Sequence, residues 1–385
     1  MNKVRVLDIQ LDYSDVVIVP RPSRFNSRKD VYLETYIKVD ETGNHDILGI
    51  PVMNANMSTV GTFEVARAML KDGMFATIHK HYTKEEVVEF LNSIPEFYCR
   101  RVFVTIGLRD EFLNINDLLY ILEKTPTFNV CIDVPNAYIK SVIDLTKEVS
   151  KMLRDYSSLL MVGNVCNSSG TGDLFDAGAD IVKVGIAPGS KCRTRMMTGV
   201  ARPQLSAVMA CAEIAKSYTS KKYICADGGI QNPGDIAKAF VAGADFVMCG
   251  SMYAGTDEAA GPIITKCFRT NEYEIEWLWD DIADIPIQSN TPDKPKYEFK
   301  KYKQYYGMAS KTAQDKFYGG VADYKTSEGA DGLVEYVGSV HDVNLQICGG
   351  LRSTLTYCDS KNITELQEKG YFYRVNNPHI SQIHN

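Results

Sequence analysis

No apolar run in the 385 residues approaches the roughly 20 that a helix needs to cross a bilayer. Dense Lys/Arg blocks are also missing, and 42 basic against 48 acidic residues leave a net charge of −6. That balance argues against nucleic-acid and membrane partners. The ten cysteines, Cys99, Cys131, Cys166, Cys192, Cys211, Cys225, Cys249, Cys267, Cys348 and Cys358, include no C-x-x-C pair. A zinc site or a disulfide framework is therefore not expected, and a reducing cytoplasmic setting is. The opening residues, from Met1 to Asp8, have neither an apolar core nor a cleavage site, so no signal peptide is expected. No low-complexity linker divides the chain, and residues 1–385 read as a single domain. The basic residues stand singly beside glycines and aromatics, a pattern suited to a small anionic ligand.

What is present is a repeat. Short apolar, β-branched runs occur at Leu48–Met53, Phe75–His79, Arg101–Ile106, Asn129–Val134, Leu159–Val165, Ile181–Ile186, Lys222–Ala226 and Phe246–Cys249. Segments of helical period separate them, such as Thr62–Lys71 and Pro233–Ala242, each ending near a glycine. Eight strand–helix alternations predict a closed (β/α)8 barrel, with apolar strands buried on both faces. Two stretches stand outside the repeat. Residues 265–306 carry Trp277, Trp279, acids and a Lys/Tyr-rich run with no clear period, and read as an insertion. The chain from Leu351 is partly helical and ends in a frayed tail, 376–385.

Polar groups collect just after the expected strands, where barrel enzymes place their active sites. Cys192 follows Ile181–Ile186 on a Gly/Pro turn between Lys191 and Arg193, a setting for a nucleophilic thiol. The plainer reading is an ordinary loop cysteine. Asp227-Gly228-Gly229 and Gly250-Ser251 follow the last two strands and suit a phosphate, since glycine lets backbone N–H groups approach its oxygens. Asp227 is placed to accept bonds from ribose hydroxyls. Lys80 brings a cation to the rim of the second strand, and Asp133, ending a buried strand, needs a partner or a ligand. Thr194 lies beside Cys192, but nothing in the sequence joins it to Glu328, which alone reads as a solvated acid.

These residues carry a resemblance. Segments Asp15–Pro20, Ala55–Met57, Val60–Phe63, His79–Tyr82, Cys131–Val134, Cys192–Arg195, Thr198–Val200, Pro203–Ala207, Tyr306–Met308, Gly319–Ala322 and Ser327–Gly329 are similar to the inosine-monophosphate dehydrogenase and GMP reductase family. The similarity leans to the reductase branch. It implies reductive deamination of GMP to IMP and ammonia with NADPH. Cys192 would attack carbon 2 of the base, Thr194 and Glu328 would handle the proton of the departing ammonia, and Lys80 would stand near the reacting centre. The nucleotide would bind at Asp227, Gly228, Gly229, Gly250, Ser251, Gly307, Met308 and Ala309. The cofactor would lie against His81, Asp133, Val134, Pro135 and Lys325, with Ser27 and Arg28 from a neighbouring subunit. That contribution implies a homo-oligomer, expected here as a tetramer. A potassium ion would sit on a mobile cysteine loop at Ala187, Gly189, Cys192 and Arg195, and a C-terminal flap would cover the site.

The chain departs from the family pattern at named positions. Ser58 stands where Asp is expected, Asn167 for Thr, Ala187 for Gly and Lys325 for Arg, and Ala201-Arg202 for Gly-Tyr. Segments Ile230-Gln231, Gly250-Ser251 and Ala254–Ala259 look more like the dehydrogenase. Three other readings stay open: a reductase acting on a deoxy or modified purine nucleotide, an IMP dehydrogenase, and a catalytically silent purine-nucleotide sensor.

Overall fold

The computed structural model describes residues 9–375 apart from 41, 44, 110, 275–276, 281–284, 289–293 and 321–325, with only the backbone described between 270 and 295. Eight parallel strands follow in chain order: β1 (Ile47–Asn54), β2 (Met74–Ile78), β3 (Val102–Ile106), β4 (Asn129–Asp133), β5 (Leu160–Val165), β6 (Ile181–Val184), β7 (Tyr223–Asp227) and β8 (Phe246–Cys249). Each pairs with its sequence neighbours, and β8 pairs back to β1 from Val247–Val52 to Cys249–Asn54, which closes the sheet. The fold is the expected (β/α)8 barrel. Every strand boundary falls within two residues of its expected place, because continuous apolar runs have no other face to hide against. The largest difference is at β6, which stops at Val184. A Cβ on the next residue, Gly185, would meet the Asp227 carbonyl at 2.2 Å, so the chain turns there.

Eight helices surround the strands: α1 (Phe63–Lys71), α2 (Lys84–Asn92), α3 (Ile115–Leu122), α4 (Lys140–Leu153), α5 (Ser168–Asp176), α6 (Gln204–Ser217), α7 (Pro233–Val241) and α8 (Val340–Tyr357). Thr62, Thr83, Asn114, Asn167, Asn232 and Ser339 start six of them, each side chain accepting a first-turn N–H bond. Asn167 thus performs the capping that the expected threonine would perform. Among the described residues no helix is long and apolar enough to cross a membrane.

The barrel interior differs at its two ends. Phe75, Phe103, Tyr223 and Phe246, near the strand starts, are buried and meet edge to face, with Phe75 and Phe246 centroids 5.1 Å apart. The strand ends carry Asn54, Asp133, Asn164, Lys183 and Asp227 instead. The apolar plug seals the bottom and leaves the polar groups at the C-terminal mouth.

The stretch without a readable period, 265–306, is mostly β-structure. Strand β9 (Ile264–Glu274) pairs antiparallel with β10 (Lys294–Tyr306), which in turn pairs with β11 (Asp331–Glu335). Between them Trp277–Asp280 pairs with Ile285–Gln288. Among the residues whose burial is described, the outer part of the ribbon is exposed on both faces, and burial begins only at its base, at Lys303, Tyr305 and Tyr306. Phe299 is 69% exposed and Tyr297 54%. From Leu351 the chain completes α8, adds a helix over Ile363–Lys369, and ends in Phe372–Arg374 paired antiparallel with Val16–Ile18. The tail 376–385 lies outside the described residues.

One lysine ties the ribbon to the barrel. Lys303 of β10 is 2% exposed, and its Nζ donates to the carbonyls of Thr256, Asp257 and Ala259 at 2.9, 3.1 and 2.5 Å. Three carbonyl dipoles replace the water that the ammonium loses. Replacing Lys303 with Met leaves these acceptors unsatisfied. The ribbon of that variant should be cut by protease several times faster than in the wild type while the urea midpoint of the barrel changes little. Equal cleavage rates would show that the latch does not hold the ribbon.

Candidate active site

The cysteine loop begins where β6 ends. Cys192 is half-buried, and its Sγ lies 3.2 Å from Thr194 Oγ1. Thr194 Oγ1 donates to Glu328 Oε2 at 2.8 Å. Thiol, hydroxyl and carboxylate therefore form one continuous line across 136 positions of sequence, from 192 to 328. Backbone pairing produces it. Arg193 N–H donates to the Glu328 carbonyl at 2.6 Å, and Ala330 N–H donates to the Lys191 carbonyl at 2.8 Å. Cys192 and Gly329 thus form an antiparallel bridge between loop and flap. Glycine is required at that junction. A Cβ on Gly307 would lie 2.9 Å from the Lys191 carbonyl, and one on Gly329 would lie 2.4 Å from the Ser310 nitrogen. Gly307 is buried in this seam. Met308 and Ala309 lead out of it, and Met308 Sδ accepts from Ser58 N–H at 3.4 Å. Ser58 Oγ also reaches Tyr306 Oη at 3.3 Å, so the residue standing where Asp is expected supports the flap.

Below the loop, Lys183 crosses the barrel mouth. Its side chain is 2% exposed, and Nζ meets Asp133 Oδ1 at 2.6 Å and Asp227 Oδ2 at 2.7 Å. Burial opposes the charge on Lys183, but the two carboxylates outweigh it and hold the ammonium well above its ordinary pKa. Burial likewise opposes ionisation of Asp133. Lys183 and Lys80 overcome it, so this carboxyl sits below the usual range. Lys80 Nζ donates to the Asp133 carbonyl at 3.1 Å, and Asn164 Nδ2 donates to Asp227 Oδ2 at 2.8 Å. The structure therefore joins Lys80, Asp133 and Asp227 in one network. Lys183 was not among the sequence candidates, although a lone charge inside Ile181–Val184 is a legible signal. Such a residue is almost never fully buried without a partner.

The glycine loops lie beside this network. Gly228 and Gly229 have φ of 86° and 78°, in the left-handed region. A Cβ on Gly228 would press on Pro188 of the cysteine loop at 3.1 Å, and one on Gly250 would lie 2.6 Å from Tyr305 Oη. Ser251 Oγ donates to the Ile230 carbonyl at 3.3 Å, which ties the two loops together. Bare glycine backbone on two adjacent loops leaves N–H groups that an anion such as phosphate could approach.

On the other flank, His81 stacks on Phe317 with centroids 4.0 Å apart and meets Phe112 edge-on at 4.6 Å. Its Nδ1 is buried without a protein partner among the described residues. Val134 is buried behind this rim and Pro135 is exposed on it. An orphaned ring nitrogen, the Lys80 cation and an exposed rim fit a planar polar cofactor ring. Ser27 and Arg28 are not brought to the cysteine within this chain. The neighbouring Arg24 pairs with Asp359 and Glu365, just past the end of α8, whereas α8 starts beside Glu258 near the mouth. Eighteen residues of helix, about 27 Å, separate the two ends. Lys325 lies outside the described residues.

Of the expected cation ligands, Ala187 takes φ 64°, in the left-handed region where a glycine is expected. The Gly189 carbonyl accepts the Cys192 N–H at 3.0 Å, and the Arg195 carbonyl accepts the Gly199 N–H at 3.1 Å. No group of three or more His, Cys, Asp or Glu among the described residues could hold a metal ion.

A parallel barrel that gathers a thiol, a hydroxyl and a carboxylate with glycine-rich loops at the C-terminal ends of its strands has the layout of a barrel enzyme. The family model for the IMP dehydrogenase / GMP reductase domain matches residues 10–274 and 289–384, and the chain belongs to that family. It is 39% identical to GMP reductase 2 of Mus musculus over 370 residues, 96% of this chain and 95% of that protein. It is 38% identical to GMP reductase 1 of Homo sapiens, covering 97% of each. It is 36% identical to GMP reductase of Vibrio cholerae, over 96% of this chain and 95% of that one.

The two rim histidines carry a pH dependence. Burial lowers His79 to about 4. Burial, with help from His79 and Lys80, lowers His81 to about 3. Both are neutral in the folded protein at neutral pH, whereas the unfolded chain takes up protons near pH 6.5. Stability is therefore fully present above about pH 6.5 and is lost as pH falls towards 4. The urea midpoint should drop over that range, and His81→Phe, which preserves the stack on Phe317, should make the drop shallower. An unchanged slope would count against a buried neutral His81.

Proposed function

We propose that the chain is a GMP reductase, converting GMP and NADPH into IMP, ammonia and NADP+. The Cys192–Thr194–Glu328 line carries this reading, because deamination must deliver a proton to a leaving amine as the carbon–sulfur bond forms. Cys192 Sγ, as thiolate, adds to carbon 2 of the guanine ring. Thr194 Oγ1, bonded at 2.8 Å to Glu328 Oε2, relays the proton that lets the 2-amino group depart as ammonia, leaving a thioimidate. When bound, NADPH would supply the hydride that carbon 2 accepts. The carbon–sulfur bond then breaks and Cys192 is restored as thiolate. Covalent capture divides one difficult substitution into two easier steps.

The remaining residues bind and orient. Gly228, Gly229, Gly250 and Ser251 cradle the phosphate, Asp227 takes the ribose hydroxyls, and Met308 and Ala309 approach the base from the flap. Lys80, His81, Asp133, Val134 and Pro135 would hold the cofactor, joined by Ser27 and Arg28 of a second copy, and Lys325 is assigned to the same task by the family resemblance alone. The distance of those two from the mouth of their own barrel supports a homo-oligomer, which we take to be a tetramer. A potassium ion on the Ala187, Gly189, Cys192 and Arg195 carbonyls would brace the cysteine loop, each carbonyl offering a lone pair beyond its backbone bond. The ten free thiols suit a reducing cytoplasm. The 265–306 ribbon is a peripheral element on a single barrel domain, and the purine-nucleotide site needs neither nucleic acid nor membrane.

Cys192→Ala should abolish NADPH oxidation while GMP still binds, since phosphate and ribose contacts lie on other loops. Substantial residual oxidation would remove the covalent step. Glu328→Gln should slow ammonia release by about 10²–10⁴-fold and slow hydride exchange far less. Equal loss of both half reactions would make Glu328 a substrate-positioning group.

A further inference from the structure

One fully buried side chain in the mouth has no place in the chemistry just described. Lys183 sits on β6, and Asp133 stands in register with it across Gly163 of β5. The two are a strand apart, and a side chain on Gly163 would block the crossing, since its Cβ would lie 2.5 Å from the Lys183 Cβ. The missing side chain lets the ammonium reach Asp133 on one side at 2.6 Å and Asp227 on the other at 2.7 Å. Both protein bonds to the Asp227 carboxylate, from Lys183 and Asn164, fall on Oδ2. Oδ1 has no protein partner among the described residues, and the Asp227 side chain remains 20% exposed.

We infer that Lys183 is a positioning residue for sugar recognition: by pinning Asp227 through Oδ2 it presents Oδ1 to the vicinal hydroxyls of a ribonucleotide. The inference rests on the purine-nucleotide reading of the site. The same ammonium pins Asp133, whose carbonyl holds Lys80, so sugar and cofactor sides share one buried charge. Ribose contacts are made alike in ground and transition states, so their loss raises KM more than it lowers kcat.

The test compares GMP with 2′-deoxy-GMP, using NADPH oxidation on the full chain. Wild type should favour GMP by about 10–100-fold in kcat/KM, the worth of one hydrogen bond to a carboxylate. Lys183→Met should raise KM for GMP about tenfold or more and bring the preference close to one. Lys183→Arg, which keeps the charge, should restore most of it. Asp227→Asn should abolish the preference too, and adding Lys183→Met to it should change the preference no further, as expected of residues acting as a unit. A folded Lys183→Met that keeps the wild-type preference overturns the inference, and so does a wild type without any. Lys183→Gln is read by the same measure if the Met variant fails to fold, and Asp227→Asn decides if neither folds. Wild type that oxidises NADPH with neither nucleotide would instead sink the reductase reading.

Discussion

A charged ammonium with almost no access to water sits at the mouth of the barrel, and the polar end of the molecule is arranged around it. Lys183 is stable there only because Asp133 and Asp227 are within 2.7 Å. Removing either would leave a buried charge short of a partner, which costs about 3–5 kcal/mol in comparable buried pairs. The need runs both ways, since Lys183, with Lys80, is what holds the buried Asp133 carboxyl below its usual range. Asn164, Asn56 and Lys80 then occupy the remaining positions around these acids. Electrostatics thus holds the strand ends open as a polar cup, while the Phe75–Phe246 plug closes the other end with apolar area.

Over that cup, the position of the Cys192 thiol depends on a seam of backbone hydrogen bonds. The cysteine loop leaves β6 at Gly185 and packs Pro188 against Gly228, so its root stands on the Asp227 loop. Its tip is held from above by the Cys192–Gly329 bridge. One loop therefore touches both the Asp227–Gly229 loop and the flap. Ala187 in the left-handed region, a conformation costing an L-residue about 1–2 kcal/mol, shows that the loop's path outweighs local preference there.

The flap takes its position from a second buried lysine. Lys303 anchors β10 to the loop after β8, and β10 runs directly into the Gly307–Ser310 turn that faces the cysteine loop. The exposed part of the ribbon can thereby extend outward without loosening the residues at its base. On the far rim, His79 and His81 are kept neutral by burial among aromatic rings, so these two rings add shape and stacking and leave the charge there to Lys80.

The barrel was legible because its strands are apolar on both faces, and a continuous run such as Phe246–Cys249 has one stable destination. Cys192 stood out for a related reason, being a thiol placed just outside such a run among polar neighbours. Glu328 did not, since 136 positions separate it from Cys192 and only the β-bridge at Gly329 brings them together. Lys183 was missed although its neighbours announce burial, because its meaning lies in two carboxylates on other strands. The ribbon at 265–306 was unreadable as strand, since periodicity records a buried face and the described outer residues, 265–269 and 296–299, are exposed on both sides. Local patterning alone determined which segments became strands and where loops would gather polar groups. Tertiary structure decided which of those groups meet, because charge pairing and close backbone approach act between strands that the sequence order leaves far apart.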